Sequence, residues 1–152
     1  MNIENRIKEL GLDIPDMPAP AAMYVPVAQT GNLLFVSGQL PKKDGVLMTG
    51  KLGADHALEE GQEAAKYCAI NIIAALKGYL GDLDKVVRIV KLQAFVSSDL
   101  GFTDQHLVTN GASQLLFDVF GEAGRHARTA VSVNQLPMDA MVEIEAIVEI
   151  AE

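Results

Sequence analysis

Basic residues are scarce in this chain: 12 Lys and Arg stand against 20 Asp and Glu in 152 residues, a formal net charge of −8. Such a molecule repels phosphate backbones and acidic membrane surfaces, so nucleic acid is a poor default partner. Cysteine is nearly absent. Cys68 stands alone, no internal disulfide can form, and a reducing, cytoplasmic compartment is expected. No apolar run is long enough to suggest a membrane span, because the uncharged stretch from Met17 to Pro41 is interrupted by Pro18, Pro20, Pro26, Gly31 and Gly38. The opening segment, Met1 to Gly11, carries charges and sets Ile3, Ile7 and Leu10 on one side of a helix. It lacks the apolar centre of a signal peptide.

Several chemical signatures are missing too. His56, His106 and His126 are far apart, with no His-x-x-x-His and no Cys-x-x-Cys, so no metal site is expected. There is no Gly-x-x-x-x-Gly-Lys-Ser/Thr and no Gly-x-Gly-x-x-Gly; Gly50-Lys51-Leu52-Gly53 reads as a flexible loop bearing a charge. Ser37-Gly38-Gln39 lacks the nucleophile-elbow pattern and reads as the bulged end of a strand. Cys68 lies in an apolar helical stripe, where a thiol serves as packing rather than as a nucleophile.

What is present is a chain with 49% hydrophobic residues, enough for one domain over 1–152 with a helical extension at about 1–20. The extension is a helix followed by an extended arm through Pro15, Pro18 and Pro20. Tyr24 to Ala28 and Leu33 to Ser37 flank Thr30-Gly31-Asn32 and predict a β-hairpin, with Pro26 confining its first strand to an edge. Lys42 to His56 shows no periodicity and reads as a loop, with a short strand expected near Val46 to Met48.

From Leu58 to Leu80, Ala65, Cys68, Ala69, Ile72, Ala75, Leu76 and Tyr79 recur at helical spacing, and Gly81 ends the helix. Val86 to Val96 alternates as a strand, with Val86, Val90, Leu92, Ala94 and Val96 on one face and Ile89 and Phe95 on the other. A second helix runs from Thr103 or Asp104 to Phe120, with Leu107, Leu115, Leu116 and Val119 inward. Two terminal strands follow, joined at Leu136-Pro137 as a hairpin. The order ββαβαββ defines an α+β fold: a single mixed sheet with both long helices on one face. In the last strand Val142, Ile144, Ala146, Val148 and Ile150 suit the covered face. The opposite face mixes Phe95, Ile147, Glu143 and Glu145, and is half-apolar enough to predict burial against further copies of the chain.

Arg128 sits on the first terminal strand and Glu143 on the second. One reading pairs Arg128 with Glu143 or Glu145 across the hairpin. The other leaves its planar fork to grip a small carboxylate. Spacing alone leaves both open.

Taken together, Tyr24, Gly31-Asn32, Val36-Ser37-Gly38-Gln39, Asn110, Ala127-Arg128, Leu136-Pro137 and Val142-Glu143-Ile144-Glu145-Ala146 resemble the reactive intermediate deaminase (RidA/YjgF) family, also labelled L-PSP endoribonuclease. The resemblance runs from about Tyr24 to Val148. It implies a chorismate-mutase-like fold and a homotrimer with sites in clefts between subunits. It also implies roles: Arg128 gripping the substrate carboxylate, Glu143 positioning water as the second catalytic residue, and Asn110, Tyr24 and the small residue Ala130 lining the substrate pocket. The implied reaction is cofactor-independent hydrolysis of enamines and imines such as 2-aminoacrylate to 2-keto acids and ammonia. A non-catalytic sensor of small carboxylates is the alternative, suggested by Ala130 and by the unusual surroundings of Tyr24. A ribonuclease fits least, given the net charge and the lack of Lys/Arg clusters interleaved with aromatics.

Overall fold

The structure, a computed structural model, describes residues 2–17 and 22–152. A short helix, α1 (Ile3–Glu9), is capped by Asn2, whose side chain accepts the Asn5 N–H, and it buries Ile3 and Ile7. Of the expected proline arm, Pro18 and Pro20 lie outside the described residues. The hairpin follows as β1 (Val27–Thr30) and β2 (Leu33–Gln39), turning through Gly31 at φ +57° and Asn32. Strand β1 begins later than the expected Tyr24, because Pro26 has no N–H to donate; Tyr24 and Val25 run outside the ladder.

The region read as a loop is more ordered than expected. It forms a small hairpin, β3 (Lys42–Lys43) with β4 (Val46–Leu47), and then passes across the end of the main sheet. Single bridges tie Thr49 to Ala140 and Leu52 to Ser98, and Leu52 is fully buried. Gly50-Lys51-Leu52-Gly53 is therefore a fixed strap and not a flexible loop. Its glycines at positions 50 and 53 hold positive φ, and the apolar Leu52 side chain is its anchor in the core.

Helix α2 (Leu58–Leu80) and helix α3 (Gln105–Phe120) both cover one face of the sheet. The expected stripe of α2 is buried except Tyr79, whose hydroxyl donates to Gln29 Oε1 at 2.7 Å. The helices cross so closely that a Cβ at Gly111 would lie 2.0 Å from the Gln62 carbonyl oxygen. Glycine at this position of α3 is thus a packing requirement of the crossing.

The remaining strands are β5 (Val86–Ser97), β6 (Ala127–Val133) and β7 (Val142–Ile150), and the five-stranded sheet has the order β1-β2-β7-β5-β6. The terminal strands do not form a hairpin. Strand β6 follows α3 as the second strand of a β-α-β crossover and lies parallel to β5; β7 then takes the other side of β5, antiparallel. The Leu136-Pro137 turn carries the chain over the end of β5, with Met138 and Asp139 at positive φ.

In β5 the alternation slips. Register shifts between Val86 and Arg88 and between Ile89 and Lys91 bring Ile89, expected on the open face, fully under the helices. Val142, Ile144, Ala146, Val148 and Ile150 all lie buried on the helix side, as expected. On the uncovered side Phe35 and Val131 remain 43% and 41% exposed.

Candidate functional site

Arg128 stands opposite Leu92 of β5, and Leu92 stands opposite Ala146 of β7, so Arg128 projects on the helix-covered face of the sheet. Because β6 is an edge strand, the side chain reaches α3 at the rim. One guanidinium nitrogen, Nη1, donates to Asn110 Oδ1 at 2.8 Å and to Ser113 Oγ at 3.1 Å; the other, Nη2, donates to the His106 carbonyl at 3.1 Å. All three acceptors are neutral. Among the described residues no carboxylate forms an ion pair with Arg128, so its charge remains available to an outside anion. Of the two readings left open by spacing, the pairing with Glu143 or Glu145 fails for a topological reason, since β5 separates β6 from β7.

Asn110 thus meets Arg128, and Ala130, two residues on, shares the same face and rests against the core. Ser113 and His126 also belong here, and nothing in their spacing announced it. His126 Nδ1 lies 2.7 Å from the Gly124 carbonyl, which can only accept, so Nδ1 carries a proton. In the neutral ring Nε2 is then an acceptor, taking the Ser113 hydroxyl proton at 2.9 Å. Burial, and to a lesser degree the Arg128 charge, hold His126 below the usual imidazole range and so favour the neutral ring, against the hydrogen bond to Gly124, which acts the other way. Asn110, Ser113, Phe117, Arg125, His126 and Arg128 line an open groove of about 730 Å³ between α3 and the start of β6.

Glu143 lies elsewhere. It stands opposite Phe95, one step out of phase with the Leu92–Ala146 pair, and so projects from the uncovered face. Its carboxyl rests over Gly38 at the β2 bulge, where an added Cβ would come within 2.9 Å of Glu143 Cδ. Partial burial, and then the neighbouring Glu145, push its pKa above the ordinary carboxylate value.

Tyr24 is 59% exposed and belongs to this second neighbourhood: the adjoining Val25 carbonyl accepts the Ser37 hydroxyl at 2.7 Å, and Ser37 precedes Gly38. Lys51, on the strap, donates to Ser97 Oγ at 3.3 Å and to the Asn134 carbonyl at the same end of the sheet. Within one chain the candidate residues therefore fall on opposite faces: Arg128 with Asn110 and Ala130 on one, and Glu143 with Gly38 and the Tyr24 segment on the other. Cys68 is fully buried, burial raises its thiol well above the ordinary range, and it packs against the Val142 carbonyl. No described helix is long and apolar enough to cross a membrane.

A five-stranded mixed sheet with two helices on one face, an arginine on its parallel edge strand and a glutamate over a glycine bulge define a chorismate-mutase-like α+β protein. The chain belongs to the family described as "YjgF/chorismate mutase-like, putative endoribonuclease", which matches residues 4–150 and so takes in α1 as well as the sheet. Among its relatives, protein TCP17 of Trypanosoma cruzi is 51% identical over 146 residues, covering 95% of this chain and 91% of that one. The 2-iminobutanoate/2-iminopropanoate deaminase of Escherichia coli is 36% identical over 131 residues, covering 85% and 90%. A crystal structure of the protein Atu1372 from Agrobacterium tumefaciens, described as of unknown function, superposes with a TM-score of 0.91 at 51% identity, covering 99% of this chain and 94% of that one. The family thus includes imine deaminases.

Proposed function

We propose that the protein hydrolyses small enamine or imine acids to 2-keto acids and ammonia, without metal or organic cofactor, in sites shared between copies of the chain. The observation that carries this reading is the Arg128 guanidinium, oriented by three neutral acceptors and neutralised by none. It binds the substrate carboxylate and places the adjacent C=N carbon. Water adds to that carbon of the protonated imine, reached by tautomerisation when the substrate is an enamine, while Glu143 takes one proton from the water. Glu143 returns this proton to the amine nitrogen of the tetrahedral adduct, the C–N bond breaks to release ammonia, and the remaining hydroxyl proton passes to the Glu143 carboxylate as the carbonyl forms. A carboxyl with a raised pKa suits this shuttle, because it accepts a proton more readily than an exposed glutamate does. Orientation can contribute roughly 7–11 kcal/mol to such a reaction and the general base about 10²–10⁴ in rate.

Arg128 and Glu143 of one protomer face opposite ways, so the reading requires that the uncovered face of one copy meet the β6 edge of another. The half-apolar open face, with Phe35 and Val131 exposed, supports such an association, and a homotrimer is the closed assembly proposed. The assay is ammonia and keto-acid release from enzymatically generated 2-aminoacrylate. Purified protein accelerates it, and Arg128→Ala abolishes the acceleration while the oligomer persists; no acceleration by the native protein would remove the reading. A sensor of small carboxylates is favoured by the same Arg128 geometry if binding of 2-keto acids, followed by calorimetry, occurs without turnover.

A further inference from the structure

The groove beside Arg128 is larger and differently charged than a three- or four-carbon imino acid requires. Its volume of about 730 Å³ falls in the range that accommodates drug-sized ligands. In a chain of net charge −8, none of the residues lining it is an aspartate or glutamate, whereas two are arginines and one a histidine. The second arginine, Arg125, precedes β6 in extended conformation, so its Cα lies about 10 Å from that of Arg128. Its guanidinium is drawn to the α3 side by the Phe117 ring, 5.3 Å from the centroid.

Between the two cations lies the Ser113–His126 pair, uncharged in the neutral ring and polar. Two acidic groups are near. Glu122 meets Arg125 at 3.5 Å, but both side chains are largely exposed, so the pair is weak and easily exchanged. The Asp118 carboxylate is occupied by Gln114 Nε2 at 2.9 Å.

We propose that this groove is an extended substrate subsite: Arg128 holds the carboxylate next to the reacting carbon, and Arg125 receives a second anionic group at the far end of the ligand, so that the preferred substrates are imines derived from acidic amino acids. The inference rests on the carboxylate-anchor reading above and deepens it. The lining fits the class, since the two cations terminate a neutral polar floor formed by Ser113 and His126. Phe117 gives the aliphatic middle of such a ligand an apolar wall.

The test is calorimetry with unreactive product analogues: 2-oxo diacids of five to seven carbons, each compared with the 2-oxo monoacid lacking only the terminal carboxylate. One additional charge-assisted contact at a largely exposed arginine predicts diacids bound roughly two- to fivefold more tightly than their monoacids. In Arg125→Gln that ratio falls to near unity, whereas in Glu122→Gln, which frees Arg125, it rises. Equal affinity for diacids and monoacids in the native protein, or a ratio untouched by Arg125→Gln, overturns the subsite while leaving the Arg128 anchor standing. Failure of every acid to bind overturns both the subsite and the anchor.

Discussion

Glu143 is the residue whose chemistry is most at odds with the stability of its own fold. Its raised pKa means that the folded protomer prefers the protonated carboxyl; the preference contributes stability below the ordinary value of 4.5 and is lost as the pH rises through the raised value. At neutral pH the ionised group is therefore a liability. Glu143→Gln is expected to raise the melting temperature at pH 7 and to leave it nearly level with the native protein at pH 4, which thermal denaturation at the two pH values will show.

His126 behaves in the opposite sense, because its folded pKa is lowered. Its contribution is present above 6.5 and fades as the pH falls through the depressed value, so His126→Asn is expected to flatten the acid side of the stability profile. Cys68, fully buried with its thiol raised, should resist alkylation in the native protein and react once it is unfolded. At this scale Arg128, Asn110 and Glu143 were singled out by their resemblance to a known pattern, and of these the structure brings Arg128 and Asn110 together within one chain. Ser113 and His126 were not, since whether a helix residue and a pre-strand residue meet depends on how α3 lies against β6, which no local spacing encodes.

Among the elements, the helices and their ends were the most readable, because 3.6-residue periodicity and glycine stops at Gly81 and Gly121 are local signals. The partner of each strand was not. Alternation in β6 and β7 showed that both were strands, but the α3 crossover placed β6 parallel to β5 and left β7 on the other side. The β5 bulges escaped for a related reason: an extra residue reverses the faces of Ile89 and its neighbours without leaving any mark in composition. The strap from Thr49 to His56 has no periodicity, and its order comes from long-range bonds such as Leu52 N–H to the Ser97 carbonyl at 3.0 Å.

The α2–α3 crossing yields a sharp expectation. Gly111→Ala forces a methyl group against backbone at Gln62 and should cost about 1–3 kcal/mol in chemical denaturation, with some loss of activity because α3 carries Asn110 and Ser113. Removing the Lys51 tether, by contrast, affects a side chain that bridges the strap to Ser97 and Asn134 at the sheet's end. Lys51→Met should loosen the strap in hydrogen exchange while leaving α2 and α3 protected.

For the whole molecule, the decisive feature of the proposed site is its division between two faces. The sheet has helices on one side only, and its uncovered side presents Glu143 beside apolar Phe35, Phe95 and Ile147, while Arg128 emerges on the other side at the β6 edge. Half-apolarity of the open face was visible in the alternation of β5 and β7, and it pointed to self-association before any geometry was in view. The handedness of the division was not visible, because it depends on which strand ends at the edge.

Subunit mixing tests the shared site most directly. Arg128→Ala and Glu143→Ala are each expected to be inactive in releasing ammonia from 2-aminoacrylate. Unfolded together and reassembled in equal amounts, they should regain activity toward roughly a quarter of the native value per site, because that fraction of random interfaces joins an intact arginine from one copy to an intact glutamate from the next. A reassembled mixture as inactive as its parents, with mixed oligomers confirmed by mass, would show that each site draws both residues from a single chain and would contradict the account.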